Sequence, residues 1–204
     1  MELRKRLRAY VLDWTMRAVN ELRGEALAAT AGDVLEVGFG TGLNLSHYPR
    51  GVTTLLALDP NVVEGLPALE ERLRRVAFPV ERCPLRADGV LPFDTGRFDC
   101  VVTTWALCSI PDPVRALAEM RRVLKSNGRY HFIEHGRAPF ERTARWQDRL
   151  NPLWRRCADG CNMNRRIDHL VVEGGFQLAS LDRFRHRGPG LLAHMYRGVA
   201  TPTP

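Results

Sequence analysis

Three glycines at alternate positions, Gly38, Gly40 and Gly42, follow a short apolar run, Asp33-Val34-Leu35-Glu36-Val37. Glycine is needed where a ligand must approach the main chain or where φ is positive. A glycine loop at the carboxyl end of a strand lies where open α/β sheets bind ligands. A tight turn without a ligand would use the same residues, so the neighbours decide. Position 43 is Leu, and the GxGxxG pattern of dinucleotide sites is not met. Glu36 would repel a pyrophosphate but suits a zwitterion. The next apolar run ends at Asp59, 17 residues after Gly42, where a carboxylate can accept hydrogen bonds from both ribose hydroxyls. Loop, Glu36 and Asp59 together fit a nucleoside that carries an amino acid and no phosphate. A nicotinamide dehydrogenase is disfavoured by Leu43 and Glu36.

A second set of residues is suited to proton handling. Glu134-His135 ends an apolar run at the expected ligand edge, and His135 could take a proton from a substrate. Asp159 lies in the run ADGCN, residues 158–162, and is the other catalytic candidate; a helix cap or ion-pair partner is its alternative role. Trp105, Trp146 and Trp154 offer walls for an apolar pocket. Cys108 and Cys161 read as packed thiols, and His47 as a structural histidine. The five cysteines, Cys83, Cys100, Cys108, Cys157 and Cys161, form no CxxC pair or His-flanked cluster. Spacing therefore points to no metal site. An odd, scattered set without a secretory signal reads as reduced thiols of the cytoplasm.

These residues need a scaffold. Apolar runs at 33–37, 53–58, 78–82, 98–103 and 129–133 read as strands, with helices expected at 41–47 and 62–75 and after Asp112. Asp112-Pro113 is a helix start, Asp as N-cap and Pro as first helical residue. Its buried face should hold Val114, Leu117, Met120 and Leu124, with Gly128 after its end. Residues 176–184 and 191–199, joined by HRGPG, read as a closing hairpin. Alternating strands and helices predict a single α/β domain over 1–204, Rossmann-like and doubly wound, with a mostly parallel sheet, a C-terminal antiparallel hairpin and helices on both faces. Residues 1–30 form a helical cap, with Leu3, Leu7, Tyr10, Val11 and Trp14 on one face. Residues 137–175 form a helical insertion over the active site. The tail TPTP is expected to fray.

The chain has 204 residues and a net charge of +7, with Lys5 and Lys125 its only lysines. Residues 135–204 alone carry 12 Arg against 6 Asp and Glu. A solvated basic surface or a field that attracts anionic substrates would both explain this. Aromatic and basic residues are not interleaved, so no nucleic-acid partner is expected. No apolar run approaches the ~18 residues that span a bilayer. A monomer or weak homodimer acting on a small molecule is the expected state.

The motifs VLEVGFGTG, LDPN, ADGVLPF, FDCVVTTWALCSI and EMRRVLKSNG, in this order, resemble class I S-adenosylmethionine-dependent methyltransferases of the type 11 group. The resemblance runs from about residue 22 to 183 and implies the seven-stranded sheet. It also implies S-adenosyl-L-methionine as cofactor, held by Glu36, Gly38, Gly40, Thr41, Gly42, Asn44, Asp59, Pro60, Asp88, Thr104, Trp105 and Leu107. In that family the first motif holds the methionine portion, the Asp59 position binds ribose, and the acidic position at Asp88 lies near adenine. The runs LCSIPD, HFIEH and WQDRLNPLWRRCADGCN are further similar to the thiol S-methyltransferases of the methyltransferase-like-seven group and their bacterial relatives. They imply a thiol or sulfide as methyl acceptor. A lipid, quinone or other oxygen or nitrogen acceptor, or a non-catalytic binding module, is the alternative on the same fold.

Overall fold

The computed structural model describes residues 2–61 and 64–203. Seven strands form one sheet in the order β3-β2-β1-β4-β5-β7-β6. They are β1 (Gly32–Val37), β2 (Val52–Leu58), β3 (Val80–Cys83), β4 (Phe98–Thr104), β5 (Leu124–His135), β6 (Phe176–Arg185) and β7 (His194–Pro202). The first five run parallel, while β7 is antiparallel to both β5 and β6. The chain therefore has the expected seven-stranded sheet with its closing hairpin.

Alternation along the strands separates two cores, one on each face. Val34, Leu55, Ala57, Cys100 and Val102 pack with Leu27, Leu66 and Leu69. The alternate set, Leu35, Val37, Leu56, Leu58, Val101, Tyr130 and Phe132, packs on Leu117, Met120, Ile167 and Val171. Burial of each large side chain contributes about 1.5–3 kcal/mol. The helices that supply these contacts are α2 (Glu21–Leu27), α3 (Pro67–Arg75), α4 (Pro113–Val123) and α6 (Ile167–Glu173). They flank the sheet, with α1 (Glu2–Met16) at the glycine loop and α5 (Glu141–Cys157) ahead of α6. No helix among the described residues is long and apolar enough to cross a membrane.

Asp112 caps α4 as expected, its Oδ1 accepting from Arg115 N at 3.0 Å. Other local expectations are corrected. The stretch 41–47 is a loop ending in a 3₁₀ turn, Leu45–His47, because so few residues before Pro49 cannot sustain an α-helix. Helix α3 starts only at Pro67, after Gly65 at φ +63°; Val62 lies outside the described residues. Helix α4 ends at Val123, and β5 begins at Leu124, so Gly128 sits inside a strand rather than after a helix. Leu7, Tyr10, Val11 and Trp14 are exposed on α1, which buries Ala9 and Asp13 instead; the Leu3 side chain lies outside the described residues. The tail is tied down: Thr203 N and Oγ1 both donate to Gly175 O.

Candidate functional site

The glycine loop leaves β1 and bends back at the ends of β2 and β4. Gly38 has φ +84°, and a Cβ there would lie 2.5 Å from Ala106 Cβ, so its need for glycine comes from protein packing as well as conformation. Gly40 N donates to Asp59 Oδ2 at 2.8 Å, and Asn61 N donates to Asp59 Oδ1 at 2.7 Å. The loop and the carboxylate at the end of β2 thus fix each other. Thr41 Oγ1 donates to Asp13 Oδ1 at 2.9 Å, and Arg72 Nη1 donates to the same oxygen at 2.7 Å. Burial would raise the Asp13 carboxyl, but these donors hold it below the usual range. Helix α1 is anchored to the loop in this way.

Beneath the loop lies a buried polar cluster. Glu36 accepts from Asn44 Nδ2 at 2.9 Å and from Tyr48 Oη at 2.8 Å. Arg23, from α2, donates to Asn44 Oδ1 at 2.6 Å and to Thr104 Oγ1 at 2.9 Å. Its guanidinium also stands 4.8 Å over the Trp105 ring. Burial pushes the Glu36 carboxyl up to about 7, against the pull of Tyr48, Arg23 and Asn44. Trp105 adopts φ +52°, rare for a bulky residue, at the sharp turn after β4.

That turn continues into a second cluster. Glu134, fully buried in β5, accepts from the main-chain N–H groups of Ala106 and Leu107 at 3.0 and 3.2 Å. Burial pushes it up to about 7, against those two donors. The segment after α5 is fastened to the same turn. Asn162 N and Nδ2 both donate to Cys108 O at 2.8 Å. Arg165 Nη1 donates to Leu107 O and Ile110 O. These bonds bring Cys161 to His135, with Sγ 3.1 Å from Nε2. The two thiols interact, and the hydrogen bond from Cys108, with a further contribution from His135, pulls Cys161 well down while Cys108 is pushed up.

Sequence reasoning named Glu36, Gly38, Gly40, Thr41, Gly42, Asn44, Asp59, Thr104 and Trp105, and the fold gathers them around the loop. Pro60 follows Asp59 at the end of β2. Leu107 is buried on the turn after β4. Asp88 is paired with Arg86 through two bonds of 3.0 and 2.9 Å. His135 lies at the second cluster. Asp159 is exposed in the bend between α5 and Cys161, at φ +55°. Of the tryptophans, Trp154 lies beside Cys161, whereas Trp146 lines an outer groove with Phe140, Leu191 and His194. Sequence reasoning missed Arg23 and Asp13, and it placed Glu134 at the ligand edge and Asn162 in the ADGCN run without giving either a role. Arg23 lies 81 residues from its partner Thr104, and nothing in a local pattern marks that contact.

Residues 35–132 match the family described as a methyltransferase domain. Human thiol S-methyltransferase TMT1A is 36% identical over 155 residues, 74% of this chain and 63% of its own length. Human thiol S-methyltransferase TMT1B is 34% identical over 175 residues, 80% of this chain and 68% of its own length. The chain thus spans about two thirds of these relatives. Among solved structures, geranyl diphosphate methyltransferase in complex with SAM superposes with a TM-score of 0.67 at 13% identity, covering 98% of this chain and 90% of that one. The chain belongs to this methyltransferase family.

Proposed function

We propose that the chain methylates a small thiol or sulfide. The observation that carries the thiol acceptor is the 34% identity to TMT1B, which extends over 80% of the chain and so beyond the shared methyltransferase domain. S-adenosylmethionine brings an electrophilic methyl group on a sulfonium. The chain's residues fit that molecule. Glu36 suits its ammonium, and the buried, unpartnered Arg23 Nε suits its carboxylate. Asp59 is proposed to accept from the ribose hydroxyls. Gly38, Gly40, Thr41, Gly42, Asn44, Pro60, Asp88, Thr104, Trp105 and Leu107 complete the proposed contacts.

Displacement at a methyl carbon depends mainly on holding nucleophile and leaving group in line. A thiol with pKa about 8.5 supplies thiolate near neutral pH, so no strong base is required. His135 lies against Cys161 rather than standing open, which suits such an acceptor better than an amine or phenol. Residues 1–30 and 137–175 are proposed to cover the donor and shape the acceptor pocket. The Asp13–Thr41 and Asn162–Cys108 contacts support this. The test is an acceptor screen with radiolabelled methyl donor over thiols, sulfide, amines, phenols and lipids. Label is expected in thiols or sulfide. Strong transfer to amines, phenols or lipids with none to any thiol or sulfide would sink the acceptor reading, and no transfer at all would leave a binding module.

A further inference from the structure

The fold brings together three ligand-type side chains from separate elements. Cys108 follows β4, His135 ends β5 and Cys161 follows α5. Their two sulfur atoms and a ring nitrogen lie within 4.8 Å of one another. We propose that Cys108, His135 and Cys161 form a three-ligand site for a soft divalent cation of the zinc type, whose fourth position takes the acceptor thiol as thiolate.

The donor set selects this class of ion. Two sulfurs and an imidazole suit zinc, and the trio contains no oxygen donor for calcium or magnesium. Three protein ligands with one open position is the arrangement of catalytic rather than structural zinc. A tetrahedral site with zinc–sulfur bonds near ~2.3 Å and zinc–nitrogen near ~2.0 Å separates its ligand atoms by roughly 3.5–3.8 Å. The trio needs side-chain adjustments of about an ångström to reach that spacing from its present one.

The supports are independent of the ligand atoms. Asn162 clamps the Cys161 segment to the main chain of Cys108, and Asn151 Nδ2 donates to Asn162 Oδ1 at 3.1 Å. His135 is held in register opposite Met195. Beside the trio, His135 Nδ1 is buried without a hydrogen-bond partner, an unpaired polar atom of the kind that marks a place for a polar ligand. Binding of the acceptor releases its thiol proton to solvent, and the cation then does the work of a base. His135 serves as a ligand in this arrangement, not as a proton acceptor. The sequence hides the site because its members lie 27 and 26 residues apart, with no ligand-like spacing.

The fourth-position part rests on the thiol reading above, while the cation site does not. The test uses the full chain, stripped with a chelator and kept reduced without added thiol, with cobalt(II) and zinc(II) as probes. One cobalt per chain is expected, with a thiolate-to-cobalt charge-transfer band. The band should fall by about half in Cys108→Ser and in Cys161→Ser, with zinc affinity lowered at least ~100-fold. Cys157→Ser, at an exposed thiol outside the trio, should leave the band unchanged. Adding a simple alkyl thiol should strengthen the wild-type band. Absence of the band, or its persistence in the double variant Cys108→Ser/Cys161→Ser, would overturn the site. A cobalt spectrum indifferent to thiol, or full-rate thiol methylation by metal-free protein, would overturn the acceptor role and leave the thiol reading standing. A thiol-sensitive cobalt band in a protein that methylates no thiol would uphold the site and sink that reading.

Discussion

The raised Glu36 carboxyl makes its proposed contact with the donor's ammonium pH-dependent. Burial pushes its carboxyl up to about 7, and Asp59 pushes the same way, while Tyr48, Arg23 and Asn44 oppose them. An ammonium placed against Glu36 favours the ionised form, so below that value binding must first remove a proton. Affinity for S-adenosylhomocysteine should therefore be flat above pH ~8 and fall about tenfold per unit below pH ~7. Glu36→Gln should bind more weakly at high pH and lose the slope. Calorimetry across this range checks both, and a wild-type profile without a break would remove Glu36 from the ammonium's place. Asp59 carries a second expectation. Asp59→Ala should weaken binding by about 1.5–3 kcal/mol, the range for a hydrogen bond to a charged group. It also frees the Gly40 and Asn61 amides. Asp59→Asn keeps an acceptor for one of them and separates loop order from ribose contact. Unchanged affinity in both variants would refute the assignment.

At the scale of elements, the buried face of α5 is mostly polar, with Gln147 and Asn151 beside Ala144. Gln147 is fully buried; its Nε2 donates to the carbonyls of Gly136, Met163 and Leu191, and its Oε1 accepts from Ala138 N. Gln147→Leu keeps much of the volume and leaves these main-chain groups unpaired. Unpaired buried groups cost about 1–3 kcal/mol each, so a total of ~3 kcal/mol or more is expected. For a chain of this size that lowers Tm by roughly 6–12 °C. Calorimetry showing an unchanged Tm would mean that α5 docks by other contacts. This hub also shows where sequence reading stops. The strands were legible because their apolar runs are continuous, and α4 because Asp112-Pro113 announces it. The glycine loop, Glu36 and Asp59 were legible because one contiguous motif and the end of the next strand carry them. The 41–47 turn was misread because a few apolar residues fit a 3₁₀ turn as well as a helix. Arg23, Gln147 and the Cys108–His135–Cys161 trio act through contacts between distant elements, which no local period encodes.

For the whole molecule, the surface carries the excess of arginine while the interior holds ionisable groups whose pH effects oppose each other. Glu36 and Glu134, both raised to about 7 by burial, favour the protonated fold. The unfolded chain gives up those protons near pH ~4.5, so these two groups make the fold less stable as pH rises from there toward 7. His131 acts in the other direction. It is buried in β5 between the sheet and α2, where burial and Arg129 push it down to about 4. Neither ring nitrogen has a well-formed hydrogen bond, and the Ala26 main chain supplies only a partial one. The unfolded chain takes up a proton near pH ~6.5 that the fold refuses until about pH 4, so stability from this residue is lost as pH falls through that window. The two carboxyls outweigh the one histidine by about one proton, so the wild-type stability these groups set should fall by roughly 2 kcal/mol between pH 4.5 and 6.5. His131→Leu removes only the histidine term. Its stability relative to wild type should grow on acidification by about 1.4 kcal/mol per pH unit, reaching up to ~3 kcal/mol near pH 4. The variant should also gain at neutral pH, because two unpaired buried nitrogens are gone. Urea unfolding of both proteins at a series of pH values measures the difference directly. A difference that stays constant with pH would mean that His131 is protonated in the fold, and would overturn the assignment of a neutral ring packed between β5 and α2.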